Sequence, residues 1–401
     1  MRIVIVNAVN GISSTGRTCT EIANYLIDRG EDAYIAYSTG LPYSNEYVIG
    51  SSFDRKLHAF LSRVFGMQAY FSYGPTRKLL TFLDRVKPDV IDIHNLHSNF
   101  INYMMLFNYI IREKIPTVIT LHDCWFFTGK CFHYTVENCY KWIEGCDNCP
   151  RVHKDNPSWF FDKTKKMWTD KRNIFTKIPK LAVVGVSDWI TNEAKKSFLS
   201  SAKIIRRIYN WVDIEVFRPR FAKSIKEYYG LDSKFVILGV ASRWSYAKGL
   251  DKFIELSNRL DTDFQIVLVG SHDSKVKIPS NILTIPSTND TEKLSYYYSM
   301  ADVFVTLSME ESFGKVSAEA LACGTPVIAF NSTANPELIG EGCGYVVEKN
   351  NISAVIEAIK EVKSRGKSYY TQNCINFARK NFNKENGINE YYSIFKELLL
   401  I

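Results

Sequence analysis

No stretch of this 401-residue chain approaches the roughly 18 consecutive apolar residues of a membrane-spanning helix. Met1-Arg2-Ile3-Val4-Ile5-Val6-Asn7 reads as a strand rather than a signal peptide, so the protein is expected to stay in the cytoplasm. Internal repeats, low-complexity tracts and a recognisable nucleic-acid-binding module are missing too, which argues against solenoids, linkers and nucleic-acid partners. Nine cysteines fall at irregular spacing. Irregular spacing in such a chain speaks against a disulfide framework and for reduced thiols or metal ligands.

The length exceeds one ordinary core and suggests two domains. Residues 1–210 hold 28 Lys and Arg against 19 Asp and Glu, whereas the remainder holds 22 against 23. All the excess positive charge therefore lies in the first half, as suits a membrane face or a phosphorylated acceptor. Alternating β and α patterns run from Ile3–Val6, a loop with Gly11 and Gly16, and a helix from Thr18 to Asp28, through Asp89–Ile93, Thr117–Leu121 and Ala182–Val186. The pattern restarts after a charged segment with Phe235–Ala241, Phe264–Gly270, Ile282–Ile285, Asp302–Leu307 and Val327–Phe330. The expected fold is α/β, with two doubly wound parallel sheets.

The stretch from Ser308 to Ile328 says most about chemistry. Ala301–Leu307 reads as a buried parallel strand, Glu311–Gly314 as a turn, Lys315–Ala322 as a helix, and Gly324-Thr325-Pro326 as its stop. Glu311 is thereby placed at the carboxyl end of a strand, where open α/β sheets bind ligands, beside helix amides that can hold a diphosphate. Ser312 and Gly314 permit close backbone approach, and Glu319 sits on the first helical turns where a carboxylate can accept ribose hydroxyls. A solvated loop residue and a favourable charge near a helix N-terminus would explain the same two glutamates.

Several motifs taken together resemble the retaining glycosyltransferases of family four. Glu311 and Glu319 match that family's glutamate pair, Val240-Ala241-Ser242-Arg243-Trp244-Ser245-Tyr246-Ala247-Lys248-Gly249 its donor-phosphate motif, and Asn210-Trp211-Val212-Asp213 to Phe217-Arg218-Pro219 its interdomain segment. Within the family the likeness is to enzymes of bacterial capsule, O-antigen and exopolysaccharide assembly, through Ser14-Thr15-Gly16-Arg17, Ile93-His94-Asn95-Leu96-His97 and Thr120-Leu121-His122-Asp123-Cys124-Trp125. The resemblance implies the GT-B fold, two facing Rossmann-like domains about an interdomain cleft. Residues 1–212, completed by a helix of about 384–401, would bind acceptor, and 213–383 the nucleotide-sugar donor. It further implies that Glu311 contacts the donor sugar, that Glu319 holds the ribose, and that His122 faces the sugar from the other domain. Arg243 and Lys248 would neutralise the leaving diphosphate, with Gly16, Ser312, Phe313 and Gly314 lining the donor. No metal is required for catalysis in this reading, because no carboxylate cluster of metal-ligand type accompanies these motifs. Trp211 and Ser312 depart from the glycines usual in the family.

Cys131, Cys139, Cys146 and Cys149 make a Cys-x7-Cys-x6-Cys-x2-Cys run in an irregular insertion of about 124–160. A structural zinc, or four reduced buried thiols, would account for it. Segments 53–65 and 77–83 interleave apolar and basic residues as amphipathic helices that could meet an anionic membrane or the core. The functional expectation is retaining transfer of a sugar from a nucleotide-diphosphate sugar to a lipid-linked or glycan acceptor, on the inner face of the cytoplasmic membrane. A GT-B nucleotide-sugar 2-epimerase and a non-catalytic nucleotide-sugar-binding scaffold are the alternatives.

Overall fold

Ile3, Val4, Ile5 and Val6 are four consecutive apolar residues with no water-facing side, and all four are fully buried. Only a central parallel strand covered on both faces accommodates such a run. In the computed structural model, which describes residues 1–401, this strand organises the first of two units, Met1–Ile208 with Ile388–Ile401. The chain runs β1 (Arg2–Val6), β2 (Val9–Asn10), α1 (Ser13–Asp28), β3 (Asp32–Tyr37), β4 (Thr39–Gly40), β5 (Glu46–Val48), α2 (Ser52–Phe65) and α3 (Tyr73–Val86). It continues through β6 (Val90–Ile93), α4 (Tyr103–Glu113), β7 (Thr117–Leu121), α5 (Thr164–Phe175), β8 (Leu181–Gly185), α6 (Asp188–Lys196) and β9 (Ile204–Arg207). Seven strands form one sheet in the order β5-β3-β1-β6-β7-β8-β9, every pair parallel.

The second unit, Tyr209–Gly387, holds α7 (Lys223–Tyr228), β10 (Phe235–Arg243), α8 (Leu250–Ser257), β11 (Phe264–Ser271), β12 (Ile282–Ile285), α9 (Thr291–Met300) and β13 (Val303–Thr306). After these come α10 (Lys315–Ala322), β14 (Val327–Phe330), β15 (Gly344–Val347), α11 (Ile352–Arg365) and α12 (Lys367–Asn381). Its six strands run β12-β11-β10-β13-β14-β15, again all parallel. This is the doubly wound order, with winding reversed between β10 and β13. A last helix, α13 (Lys384–Leu400), returns the chain to the first unit. There Ile388, Tyr391, Ile394, Phe395 and Leu398 are buried, and Tyr391 Oη meets Thr120 Oγ1 at 3.1 Å.

The structure revises several local expectations. α1 begins at Ser13 instead of Thr18, so Gly16 lies inside its first turns rather than in a loop. Val9, Asn10 and Gly11 bend back over that turn, and Gly11 N–H donates to Gly16 C=O at 3.2 Å. A Cβ at Gly16 would stand 3.2 Å from Gly11 N and Val9 O, so what this glycine admits is the chain's own backbone. The C-terminal helix expected at about 384–401 is found at Lys384–Leu400, preceded by a separate helix, Lys367–Asn381. The charged segment Phe217–Lys234 contains the short helix α7. Trp211 is buried and packs where Gly387 has no side chain, filling space within the second unit.

Candidate functional site

The reversal between β10 and β13 sets the loops that follow these two strands side by side at their carboxyl ends. A Cβ on Gly249, at φ +75°, would lie 2.3 Å from Leu307 O, so a side chain here would lift the Ser245–Lys248 turn off the end of β13. Met309 N–H donates to Ala247 C=O at 2.9 Å, joining the two loops. Lys248 Nζ then reaches Glu311 Oε1 at 2.5 Å. The Glu311 backbone is clamped in turn: its N–H donates to Thr333 Oγ1, and the Thr333 hydroxyl donates to Glu311 C=O, both at 2.7 Å. Two motifs 63 residues apart are thus fixed against each other. Arg243 ends β10 beyond an irregularity in its pairing with β11, and its side chain is exposed.

Gly314 caps α10 from the left-handed region, at φ +89°, and offers no side chain to the helix amides. No acidic residue occupies the first turn, so the positive helix end is left to whatever binds there. Beside it the Ser312 hydroxyl and the Asn335 side-chain oxygen are buried without a hydrogen-bond partner. Each such group costs about 1–3 kcal/mol until something polar meets it. Glu319, on the next turn, is 5% exposed and accepts the Tyr298 hydroxyl at 2.9 Å. Burial, and then the Glu319 carboxylate, push the Tyr298 pKa well above its usual range, so the phenol stays a donor and fixes the carboxylate. The Phe313 side chain packs with Tyr209 and Phe382, which leaves its backbone as the part a ligand could meet.

In the first unit His122 follows β7 and is only partly buried. Its Nε2 lies 2.8 Å from His94 Nδ1, and His94 Nε2 lies 3.1 Å from Asp92 Oδ2, with the two imidazoles stacked. Burial opposes a charge on His94, but Cys19 and Asp92 outweigh it and carry the His94 pKa up to about 10. His94 thus links Asp92 to His122 through its two ring nitrogens. Asp92 and His94 carry no role in the sequence reading, although an Asp-x-His on a strand buried on both faces was a usable signal. Next to His122, Asp123 pairs with His97 at 2.8 Å and accepts Trp125 N–H at 2.8 Å.

Two family models match the chain. The one described as Glycosyltransferase Family 4 covers residues 15–216, and the one described as Glycosyl transferases group 1 covers 222–381. The chain belongs to glycosyltransferase family 4. Among curated relatives of this glycosyltransferase, N-acetyl-alpha-D-glucosaminyl L-malate synthase of Bacillus anthracis is 23% identical over 405 residues, covering 97% of this chain and 95% of that protein. WcaC of Escherichia coli strain K12, assigned to colanic acid biosynthesis as a glycosyl transferase, is 22% identical over 307 residues, 75% of this chain and 73% of its own. Solved structures share the fold. Sucrose-phosphate synthase from Thermosynechococcus elongatus superposes with a TM-score of 0.73 at 15% identity, over 100% of this chain and 99% of that one. Anabaena HepE in complex with UDP-glucose does so with 0.69 at 16%, over all of both chains. The two parallel-sheet units are the Rossmann-like halves of a GT-B fold.

Within this family member, the structure gathers Lys248, Glu311, Ser312 and Gly314 at one strand mouth, with Arg243 ending the neighbouring strand. Gly16 and His122 belong to the other unit. One carboxylate pair escaped the sequence reading: Asp261-Thr262-Asp263 has the Asp-x-Asp spacing. It precedes β11, at the amino ends of the strands and so opposite the mouth, with Asp263 paired to Lys363 at 3.0 Å. The segment 124–163 has little regular structure beyond a single turn at Lys141–Ile143, and Cys131, Cys139, Cys146 and Cys149 line one hollow there with Tyr134 and Trp142.

Proposed function

We propose that this glycosyltransferase takes a sugar from a nucleoside-diphosphate sugar and passes it, with retained anomeric configuration, to a membrane-held glycan acceptor in surface-polysaccharide synthesis. The observation that carries the reading is the Lys248–Glu311 pair set beside the N-terminus of α10, which has no side-chain cap. Arg243, Lys248 and the helix amides meet the diphosphate, Glu319 the ribose, and Glu311 the sugar hydroxyls. The bond from the anomeric carbon to the diphosphate oxygen breaks as the bond to the acceptor oxygen forms. The acceptor proton passes to the departing phosphate on the same face. His122, whose Nε2 meets His94 Nδ1 at 2.8 Å, is the residue of the first unit that the family resemblance assigns to transfer. Fixed cations and helix amides take the role of neutralising the leaving group, so turnover needs no added divalent ion.

Membrane attachment is supported by α2. That helix buries only His58 and Ser62 while Phe53, Leu57, Phe60 and Phe65 stand exposed. Trp159, Phe160 and Phe161 extend the apolar surface, with Phe60 and Trp159 rings 6.0 Å apart, and exposed Lys56 and Arg63 flank it. An apolar face turned outward among lysines and arginines suits an anionic lipid interface. α3, the other amphipathic segment, instead buries Leu79, Phe82, Leu83 and Val86 in the core. No helix is long and apolar enough to cross a membrane.

The test is a donor screen with purified protein, with and without a membrane fraction. Sugar incorporated into lipid-extractable material supports transfer. An altered free nucleotide sugar without acceptor would identify an epimerase, and binding without turnover would identify a scaffold.

A further inference from the structure

The four cysteines of the insertion are dispersed over 19 residues, yet they face one hollow. All are free thiols. Cys131 Sγ and Cys149 Sγ stand 3.9 Å apart, nearly twice a disulfide bond. That distance matches the edge of a tetrahedron with metal–sulfur bonds of about 2.3 Å, which is about 3.8 Å. The Cys146–Cys149 knuckle is already shaped. Lys141 Nζ donates to the Asp147 and Asn148 carbonyls at 3.0 and 3.2 Å, Asn148 adopts φ +45°, and Gly129 N–H points at Cys146 Sγ from 3.2 Å.

Two buried lysines reach the same loop. Lys171 is 1% exposed, and its ammonium donates to the carbonyls of Trp125, Thr128 and Gly129 at 2.5, 3.0 and 3.4 Å. Lys130, 2% exposed, donates to Val152 and Asn156 carbonyls at 2.8 and 3.1 Å. Each ammonium is wrapped by the cysteine-bearing loop and bonded only to neutral oxygens. Burial lowers the pKa of both amines, that of Lys171 well below its usual value, while the neighbouring cysteines and Asp123, Asp155 and Asp162 oppose the shift.

We propose that Cys131, Cys139, Cys146 and Cys149 bind one structural zinc ion. As the side chains stand, no three His, Cys, Asp or Glu groups meet closely enough to hold a metal. Zinc therefore draws Cys139 and Cys146 onto the Cys131–Cys149 pair, closing the hollow. All four sulfur positions are taken by protein, so the ion staples the insertion and has no open position for substrate.

Elemental analysis of the intact protein, purified without chelator, should find about one zinc per chain. Cys149→Ser should lower that several-fold, whereas Cys374→Ser, in the second unit, should keep it. Should Cys149→Ser fail to fold, zinc release from the wild type by a mercurial thiol reagent, scored with a metallochromic dye, gives the same stoichiometry. Less than about one-tenth of a zinc per chain, with four rapidly alkylated thiols or a Cys131–Cys149 disulfide by mass spectrometry, would overturn the proposal.

Discussion

Replacing Lys248 by alanine separates the two things its ammonium does. As a partner for Glu311 it is 38% exposed, and a pair so open to water contributes at most about 1 kcal/mol to stability. In its proposed role as a neutraliser of a departing diphosphate it would matter more. Two unit charges 4 Å apart in a partly screened site interact by about 4 kcal/mol, and loss of one fixed donor to a developing negative charge costs enzymes about 3–4 kcal/mol. At about 1.4 kcal/mol per decade, Lys248→Ala should lower kcat by about 10²- to 10³-fold while the denaturation midpoint barely moves. The assay is nucleoside diphosphate release under saturating donor, with urea unfolding of the same preparation. A turnover within twofold of wild type would refute the assignment of Lys248. A collapse in stability matching the loss of turnover would refute the reasoning from its exposure.

Gly249→Ala should destabilise by about 2–5 kcal/mol, from left-handed strain plus the close approach to Leu307 O, whereas Gly230→Ala, at φ +66° with open space around it, should lose only about 1–2 kcal/mol. Urea unfolding of the two variants checks the contrast; equal losses would deny the packing of the Lys248 turn on β13. His94 has a folded pKa raised to about 10, so its charge stabilises fully below about pH 6.5 and that contribution is lost as pH rises through about 10. The stability gap between wild type and His94→Asn should therefore narrow from pH 6 to pH 10, and a gap that widens would exclude a charged His94. Phe60→Asp combined with Phe160→Asp should weaken binding to vesicles containing phosphatidylglycerol by tenfold or more, at about 2 kcal/mol per inserted aromatic, with nucleoside diphosphate release from the donor found by the screen unchanged. Equal sedimentation of variant and wild type with those vesicles would move the contact elsewhere.

What the sequence made legible was set by periodicity. Runs such as Ile3–Val6 and Val303–Thr306 announce strands buried on both faces, and the α/β class with two parallel sheets follows from them. Family membership was legible because Arg243–Gly249 and Glu311–Glu319 keep distinctive residues at fixed spacing. Less visible was anything decided by tertiary approach. Gly16 looked like a loop glycine, since no capping side chain marks the start of α1 at Ser13. α2 and α3 carry similar amphipathic patterns, yet only the structure shows α2 turning its aromatics outward. The Asp92–His94–His122 chain needs two adjacent strands, β6 and β7, to bring its members together. Asp261-Thr262-Asp263 has a metal-like spacing, and only topology sets it at the wrong end of the sheet.

The central claim is that the mouth between β10 and β13 is the donor site. The most direct measurement is a crystal structure with the nucleotide sugar that supports turnover. The account predicts the diphosphate at the N-terminus of α10, within hydrogen-bond reach of Arg243 and Lys248, and the ribose on Glu319. A nucleotide bound elsewhere, with the α10 amides and Lys248 untouched, would contradict it.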